Sequence, residues 1–147
     1  MKGLIQRVSE ASVTIDGCEY SRINEGLLLL LGIEPSDTKA TADALIDKVL
    51  RYRVFTDDNN KMNLSLQDTG GALMIVSQFT LAADTQQGRR PSFSTAAKPE
   101  QANHLYQHAI TRATAMHHPH RVTSGQFAAN MQVSLINDGP VTFLLSS

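Results

Sequence analysis

The sequence predicts an α+β domain in which antiparallel or mixed β-sheets form a barrel-like or layered sandwich with two helices packed on one side. Three observations lead there. The chain opens as strand, turn, strand, turn, strand. Two later stretches carry apolar residues at helical spacing, and the chain closes on a strict alternation of apolar and polar residues. At 147 residues the chain is long enough to bury a core as one domain, 1–147, without disulfide or metal. Its single cysteine, Cys18, excludes an intrachain disulfide and suits a reducing compartment. The start Met1-Lys2-Gly3-Leu4 lacks the apolar core of a signal peptide, so a cytoplasmic location is expected. The longest purely apolar run, Leu27 to Leu31, falls far short of the roughly 20 residues a membrane span needs, and no membrane partner is expected. The formal charge of -1 argues against coating nucleic acid through bulk charge. No DNA partner is expected, and any RNA contact has to be local.

In order, Lys2 to Ile15 reads as a strand, with a phase break between Ile5 and Val8 that predicts a bulge or bend. Asp16-Gly17 is a hairpin turn, Tyr20 to Ile23 the returning strand, and Glu25-Gly26 a second turn before a fully buried strand, Leu27 to Leu31. Ser36-Asp37 offers an N-cap, and Ala42, Leu45, Ile46, Val49 and Leu50 share one face of a helix from Thr38 to Arg51. A short strand is predicted over Tyr52 to Phe55, followed by the turn cluster Thr56-Asp57-Asp58-Asn59-Asn60, whose acidic pair lacks the spacing of a calcium loop. Gly70-Gly71 opens the apolar run Ala72 to Val76, a strand covered on both faces. Pro99 with Glu100 starts a second helix, striped by Ala102, Leu105, Tyr106, Ala109, Ile110, Ala113 and Met116. A half-exposed strand is predicted from Phe127 to Leu135, interrupted at Gly139-Pro140, with a final strand from Val141 to Leu145.

The chemistry-bearing stretch is Ser77-Gln78-Phe79-Thr80-Leu81, where a hydroxyl, an amide and a second hydroxyl emerge at the end of the buried run. A rigid strand end is where a preorganised site is best placed, although composition alone favours reading these residues as ordinary strand residues bonding nearby backbone. No Gly-x-Ser-x-Gly, His-Glu-x-x-His or Cys-x-x-Cys occurs. The histidines, His104, His108, His117, His118 and His120, all lie in or after the second helix, so no base can be assigned to Ser77 or Thr80. His117, His118 and His120 tempt a zinc assignment, but Pro119 breaks the geometry that would align them and no metal is expected. No cofactor is expected either. The polar loop Asp84 to Phe93, with Gly88, Arg89, Arg90 and Pro91, is a candidate for holding substrate phosphate, or is solvated surface.

Taken with Asn137-Asp138-Gly139-Pro140-Val141-Thr142 near the C-terminus, the SQFTL stretch resembles the D-aminoacyl-tRNA deacylase family. The likeness extends over essentially the whole chain: Leu4-Ile5-Gln6-Arg7-Val8, Lys61-Met62-Asn63-Leu64, Arg90-Pro91-Ser92-Phe93 and Phe127-Ala128-Ala129-Asn130-Met131 all fit. Asn130 departs, standing where the family pattern expects an acidic residue. The resemblance implies hydrolysis of the ester of D-aminoacyl-tRNA, with glycyl-tRNA also a substrate and L-aminoacyl groups rejected. It implies catalysis by Ser77, Gln78, Phe79 and Thr80, with the neighbouring ribose 2′-hydroxyl assisting in place of a protein nucleophile; from the residues themselves, the backbone N–H groups of Phe79 and Thr80 with the Gln78 amide can polarise a carbonyl as an oxyanion hole. Gly139-Pro140 is expected to be a cis bond acting as the chiral filter in the partner subunit of a homodimer. Arg7, Arg89, Arg90, Phe127 and Met131 are expected to bind substrate or support the motif, and aminoacyl-tRNA is the expected partner. Two rival readings stand beside this one, a non-catalytic dimeric RNA-binding module and a small-ester hydrolase using Thr80 as nucleophile.

Overall fold

The computed structural model describes residues 1–85 and 88–147. Its spine is a long strand, β1 (Lys2–Ile15), which uses both edges. One edge pairs antiparallel with β8 (Gln132–Ser146) from Lys2 to Thr14. The other is shared between β3 (Gly26–Gly32), opposite Lys2 to Val8, and β2 (Cys18–Ile23), opposite Ala11 to Ile15. From β3 the sheet continues in parallel through β6 (Ala72–Ser77) to β7 (Val122–Ser124), giving the order β2-β1-β3-β6-β7 with β8 on β1. The sheet curls until β2 meets β7, where the Ser21 hydroxyl donates to Ser124 O at 3.0 Å and nearly closes a barrel. The predicted break between Ile5 and Val8 is real: the β1–β8 register shifts on both sides of Val8. Asp16 and Gly17 take the positive φ values, 50° and 79°, of a tight hairpin turn.

Two apolar layers explain the continuous hydrophobic runs. Leu27, Leu29, Leu31, Leu73 and Ile75 face the helices, whereas Leu28, Met74 and Val76 face the barrel interior with Val8, Ala11 and Val13. Strands buried on both faces have no polar side to alternate with. The helical layer is α1 (Lys39–Arg51), burying Ala42, Leu45, Ile46, Val49 and Leu50, and a long helix, α3 (Pro99–Met116), burying Ala102, Leu105, Tyr106, Ala109 and Ala113. Between them lies the single turn α2 (Leu66–Thr69). Arg112 holds Asp47 through two nitrogens at 3.0–3.1 Å and His108 meets Asp43 at 2.8 Å, joining α1 to α3 at a half-exposed seam.

Several expectations require correction. The cap of α1 is Thr38, whose hydroxyl accepts from Thr41 N–H, because the Asp37 carboxylate is occupied by the Met1 ammonium and by Glu34 N–H. The strand expected over Tyr52 to Phe55 is instead β4 (Phe55–Thr56), pairing with β5 (Met62–Leu64) in a separate hairpin closed by the Asp57 carboxylate. The helices number three among the described residues, since Ser65 and Asp68 form a capping box that starts α2. Residues 127–131 are not strand. Ala128 has φ 61° and the segment turns before β8 begins at Gln132. Gly139-Pro140 does not separate two strands either: both flanks pair with β1, and the motif bulges out between them.

Candidate active site

β6 delivers the site. Leu31 pairs with Ser77 at the carboxyl ends of the parallel strands β3 and β6, and Gln78 N–H donates to Leu31 O at 2.8 Å. The chain then turns sharply into a single 3₁₀ turn, Phe79–Ala82, closed by Leu81 N–H on Gln78 O and Ala83 N–H on Thr80 O. The first N–H groups of such a turn have no partner within it. Here they belong to Phe79 and Thr80. The Gln78 amide nitrogen donates to Thr80 Oγ1 at 2.6 Å, so that oxygen is held from one side and its own proton is left to be donated outward. Gly32, the last residue of β3, makes room for the turn, because a Cβ there would lie 2.8 Å from Leu81 Cβ.

Beside this turn is a cavity of about 520 Å³ lined by Ser77, Gln78, Phe79, Phe127 and Met131 among others. Five residues singled out from sequence therefore meet in one place. Among the described residues the rest of the lining is Leu31, Ile33, Val76, Ala97, Pro99, Ala102, Ala128, Ala129, Asn130 and Val133, and it includes no acid, base, histidine or cysteine. Thr80 stands exposed at the turn, and Phe79, 59 % exposed, pairs with Phe93 at a ring-centroid distance of 5.0 Å. Phe93 belongs to the loop 84–93, of which residues 86 and 87 lie outside the described residues. Backbone bonds between Asp84 and Ser92, and the Thr95 hydroxyl on Ala82 O, hold this loop against the turn. Arg89 and Arg90 are exposed on it and line no part of the cavity. Among the described residues no group of histidines, cysteines and carboxylates could hold a metal; the His117 ring instead meets Gly71 O at 2.8 Å.

Tyr106, which the apolar stripe of the second helix places in the core, also supports the site. Its hydroxyl lies 2.8 Å from Ile75 O and 2.9 Å from Gly125 O, tying β6 to the segment that carries Phe127, against which its ring packs at 5.8 Å. Burial, partly opposed by its hydrogen bonds, pushes its pKa up to about 12. A tyrosine in an apolar helical stripe carries a polar tip that must find a partner when buried, which is the signal that was available.

Gly139 and Pro140 do not line this cavity; they stand beside Arg7. The peptide bond between them is cis, and Gly139 has φ 131°, a conformation that L side chains rarely adopt. A Cβ on Gly139 would lie 2.7 Å from Val141 Cγ2 and 3.2 Å from an Arg7 nitrogen. Arg7 Nε donates to Asp138 O at 3.1 Å and lies 3.2 Å from the Asp138 carboxylate, while Nη1 donates to Val54 O at 2.7 Å. Arg7 is thus a clamp on the motif. Asn137, Thr142 and Gln6 complete the surroundings through side-chain hydrogen bonds at 2.8–3.3 Å.

Residues 4–146 match the family model described as D-Tyr-tRNA(Tyr) deacylase. A Cellvibrio japonicus (strain Ueda107) protein named D-aminoacyl-tRNA deacylase is 57% identical over 145 residues, covering 99% of this chain and 98% of that protein. A Pseudomonas fluorescens (strain Pf0-1) protein of the same name is 56% identical over 147 residues, the full length of both. Among solved structures, one described as c-Myc DNA Unwinding Element Binding Protein superposes with a TM-score of 0.96 at 38% identity, covering 100% of this chain and 99% of that one. A probable eukaryotic D-amino acid tRNA deacylase superposes at 0.88 with 15% identity, over 99% and 98% of the two chains, a likeness of fold.

Proposed function

This chain belongs to the D-Tyr-tRNA(Tyr) deacylase family and hydrolyses the ester bond of D-aminoacyl-tRNA, and we propose that it does so with hydrogen-bond donors alone, the substrate's own 2′-hydroxyl standing in for a protein nucleophile. One observation supports this above the others: among the described residues, the cavity beside the SQFTL turn has no ionisable side chain in its lining. A serine or threonine nucleophile needs an adjacent base to be activated. Ser77 and Thr80 have none in that lining, whereas the N–H groups of Phe79 and Thr80 stand where a developing oxyanion can be received. In this reading the terminal adenosine enters against Phe127 and Met131, and a cavity of about 520 Å³ is in the range of small-molecule sites. The Gln78 amide fixes the Thr80 hydroxyl so that its proton points to substrate. The 2′-hydroxyl, already held beside the ester, assists a water molecule that adds to the carbonyl carbon; the ester oxygen of the ribose then leaves and takes up a proton, giving free D-amino acid and tRNA.

Chirality is read by exclusion. The backbone of Gly139-Pro140 from a second copy of the chain forms a wall at the α-carbon that an L side chain would strike, while a D side chain points to solvent and glycine has nothing to strike. Glycyl-tRNA is therefore also a substrate. Dimerisation is supported by β8, a 15-residue strand that among the described residues pairs only with β1 and exposes Ile136 and Leu144 at 55% and 62%. An edge of that length with apolar side chains is a template for association. Arg89 and Arg90, on the loop beside the turn, contact tRNA phosphates. The enzyme works in the cytoplasm, where aminoacyl-tRNA is used, and DNA is no part of this reading. The assay is deacylation of three substrates: D-aminoacyl-tRNA is cleaved, while L-aminoacyl-tRNA and a free D-amino-acid ester are spared. Cleavage of the free ester at comparable kcat/KM would point instead to a small-ester hydrolase using Thr80.

A further inference from the structure

Where β8 passes Arg7 the ladder with β1 stops. Val8 pairs with Asn137 and Gln6 with Thr142, so the segment from Asp138 to Val141 stands opposite Arg7 alone. This is a larger interruption than a one-residue bulge, and the backbone groups it releases from the ladder need other partners. Asn137 provides one of them. Its Oδ1 accepts from Val141 N–H at 3.0 Å and its Nδ2 donates to Thr142 Oγ1 at 2.8 Å. The orientation of the amide follows from chemistry, since a backbone N–H can only donate and therefore faces the carboxamide oxygen. Thr142 Oγ1 also accepts from Gln6 Nε2 at 3.3 Å, which fastens the base of the loop to β1. On the opposite flank Arg7, anchored on Val54 O, holds Asp138 O.

We propose that Asn137, braced by Thr142 and Gln6, is a positioning residue for specificity: its carboxamide closes the base of the Asn137–Thr142 loop and so fixes where the Gly139 and Pro140 backbone points. The inference rests on the reading of Gly139-Pro140 as the chiral filter. A steric filter distinguishes two substrates only while its wall stays within a fraction of an ångström of its place, and a misplacement of about 1 Å can cost around 100-fold. Arg7 restrains the loop at Asp138 only, one residue before the wall. Asn137 restrains it beyond, at Val141 and Thr142, and among the described residues no other side chain bonds both. The side chain has to accept and donate at once, which a carboxamide does and an aliphatic isostere cannot.

The test is the ratio of D- to L-aminoacyl-tRNA deacylation, with KM and kcat separated, in folded Asn137→Ala, Asn137→Asp, Thr142→Val and Gly139→Ala proteins. Loss of one such hydrogen bond corresponds to about fivefold to tenfold. Asn137→Ala is expected to lower the ratio by about tenfold or more through faster L cleavage or lower kcat on the D substrate. Asn137→Asp keeps the acceptor for Val141 N–H and is expected to recover part of the loss. Should Asn137→Ala fail to fold, Thr142→Val, which removes only the brace, is expected to lower the ratio on its own. A changed ratio in Gly139→Ala with parental ratios in Asn137→Ala and Thr142→Val overturns the proposal and leaves the filter standing. Parental ratios in all variants overturn both.

Discussion

Tyr106 shows how much one buried polar atom can organise. A single hydroxyl proton faces two carbonyls, Ile75 O and Gly125 O, and Ile75 O already receives Gly125 N–H at 2.9 Å. Replacing the residue by phenylalanine therefore strands Gly125 O, at a cost of about 1–3 kcal/mol. The pH dependence follows from its pKa of about 12 against an ordinary 10. Above pH 10 the unfolded chain releases the proton while the folded chain keeps it. The contribution of Tyr106 is thus complete below pH 10 and is lost as pH rises toward 12. Urea denaturation from pH 9 to 11 should show this alkaline loss in the parent and a shallower one in Tyr106→Phe. At this scale the sequence was legible where side chains stand together in a chemical stretch, as Ser77, Gln78 and Phe79 do; Phe127 and Met131, which line the same cavity, were pointed to by the family resemblance and not by the local pattern. It was not legible where the role depends on a distant backbone atom, as with Tyr106 on Gly125 or Arg7 on Val54.

Among the elements, those with a long repeat were readable and those fixed by neighbours were not. α1 and α3 follow their apolar stripes, because a burial pattern sustained over three or more turns leaves no other solution. Residues 127–131 alternate as a strand would, yet Phe127 is drawn onto Tyr106 and Ala128 turns with positive φ, so tertiary contact outweighs local pattern. β7 has only three residues and exists because β6 offers it an edge. Removing the Leu45 side chain, which is wholly buried in the helical layer, should cost about 2–5 kcal/mol by chemical denaturation, against little change at exposed Lys39. The loop carrying Arg89 and Arg90 makes a separate prediction. If each contacts a phosphate, Arg89→Ala and Arg90→Ala should each flatten the salt dependence of tRNA binding by about one unit of slope. An unchanged slope would remove that loop from the account.

For the molecule as a whole, a mixed sheet curled around one apolar layer and covered by helices on the other leaves β8 as the long uncovered edge, with Ile136, Phe143 and Leu144 exposed. The α+β class and the helical cover were legible from element order. The closure of β2 on β7 was not, because it depends on how far β1 bends and no local pattern reports that. If two copies meet along β8, Ile136→Lys and Leu144→Lys should yield folded monomers by sedimentation, with thermal stability of the protomer little changed and deacylation lost. Monomers that keep full activity would mean that the site is complete within one chain.

The central claim is that the substrate, not the protein, supplies the attacking assistance. It is tested most directly by single-turnover deacylation of D-aminoacyl-tRNA in which the terminal 2′-hydroxyl is replaced by hydrogen, measured beside Thr80→Ala acting on the natural substrate. The expected result is that the deoxy substrate binds but is not turned over, while Thr80→Ala retains substantial activity. Turnover of the deoxy substrate at the natural rate, together with an acyl group trapped on Thr80 by mass spectrometry, would contradict it.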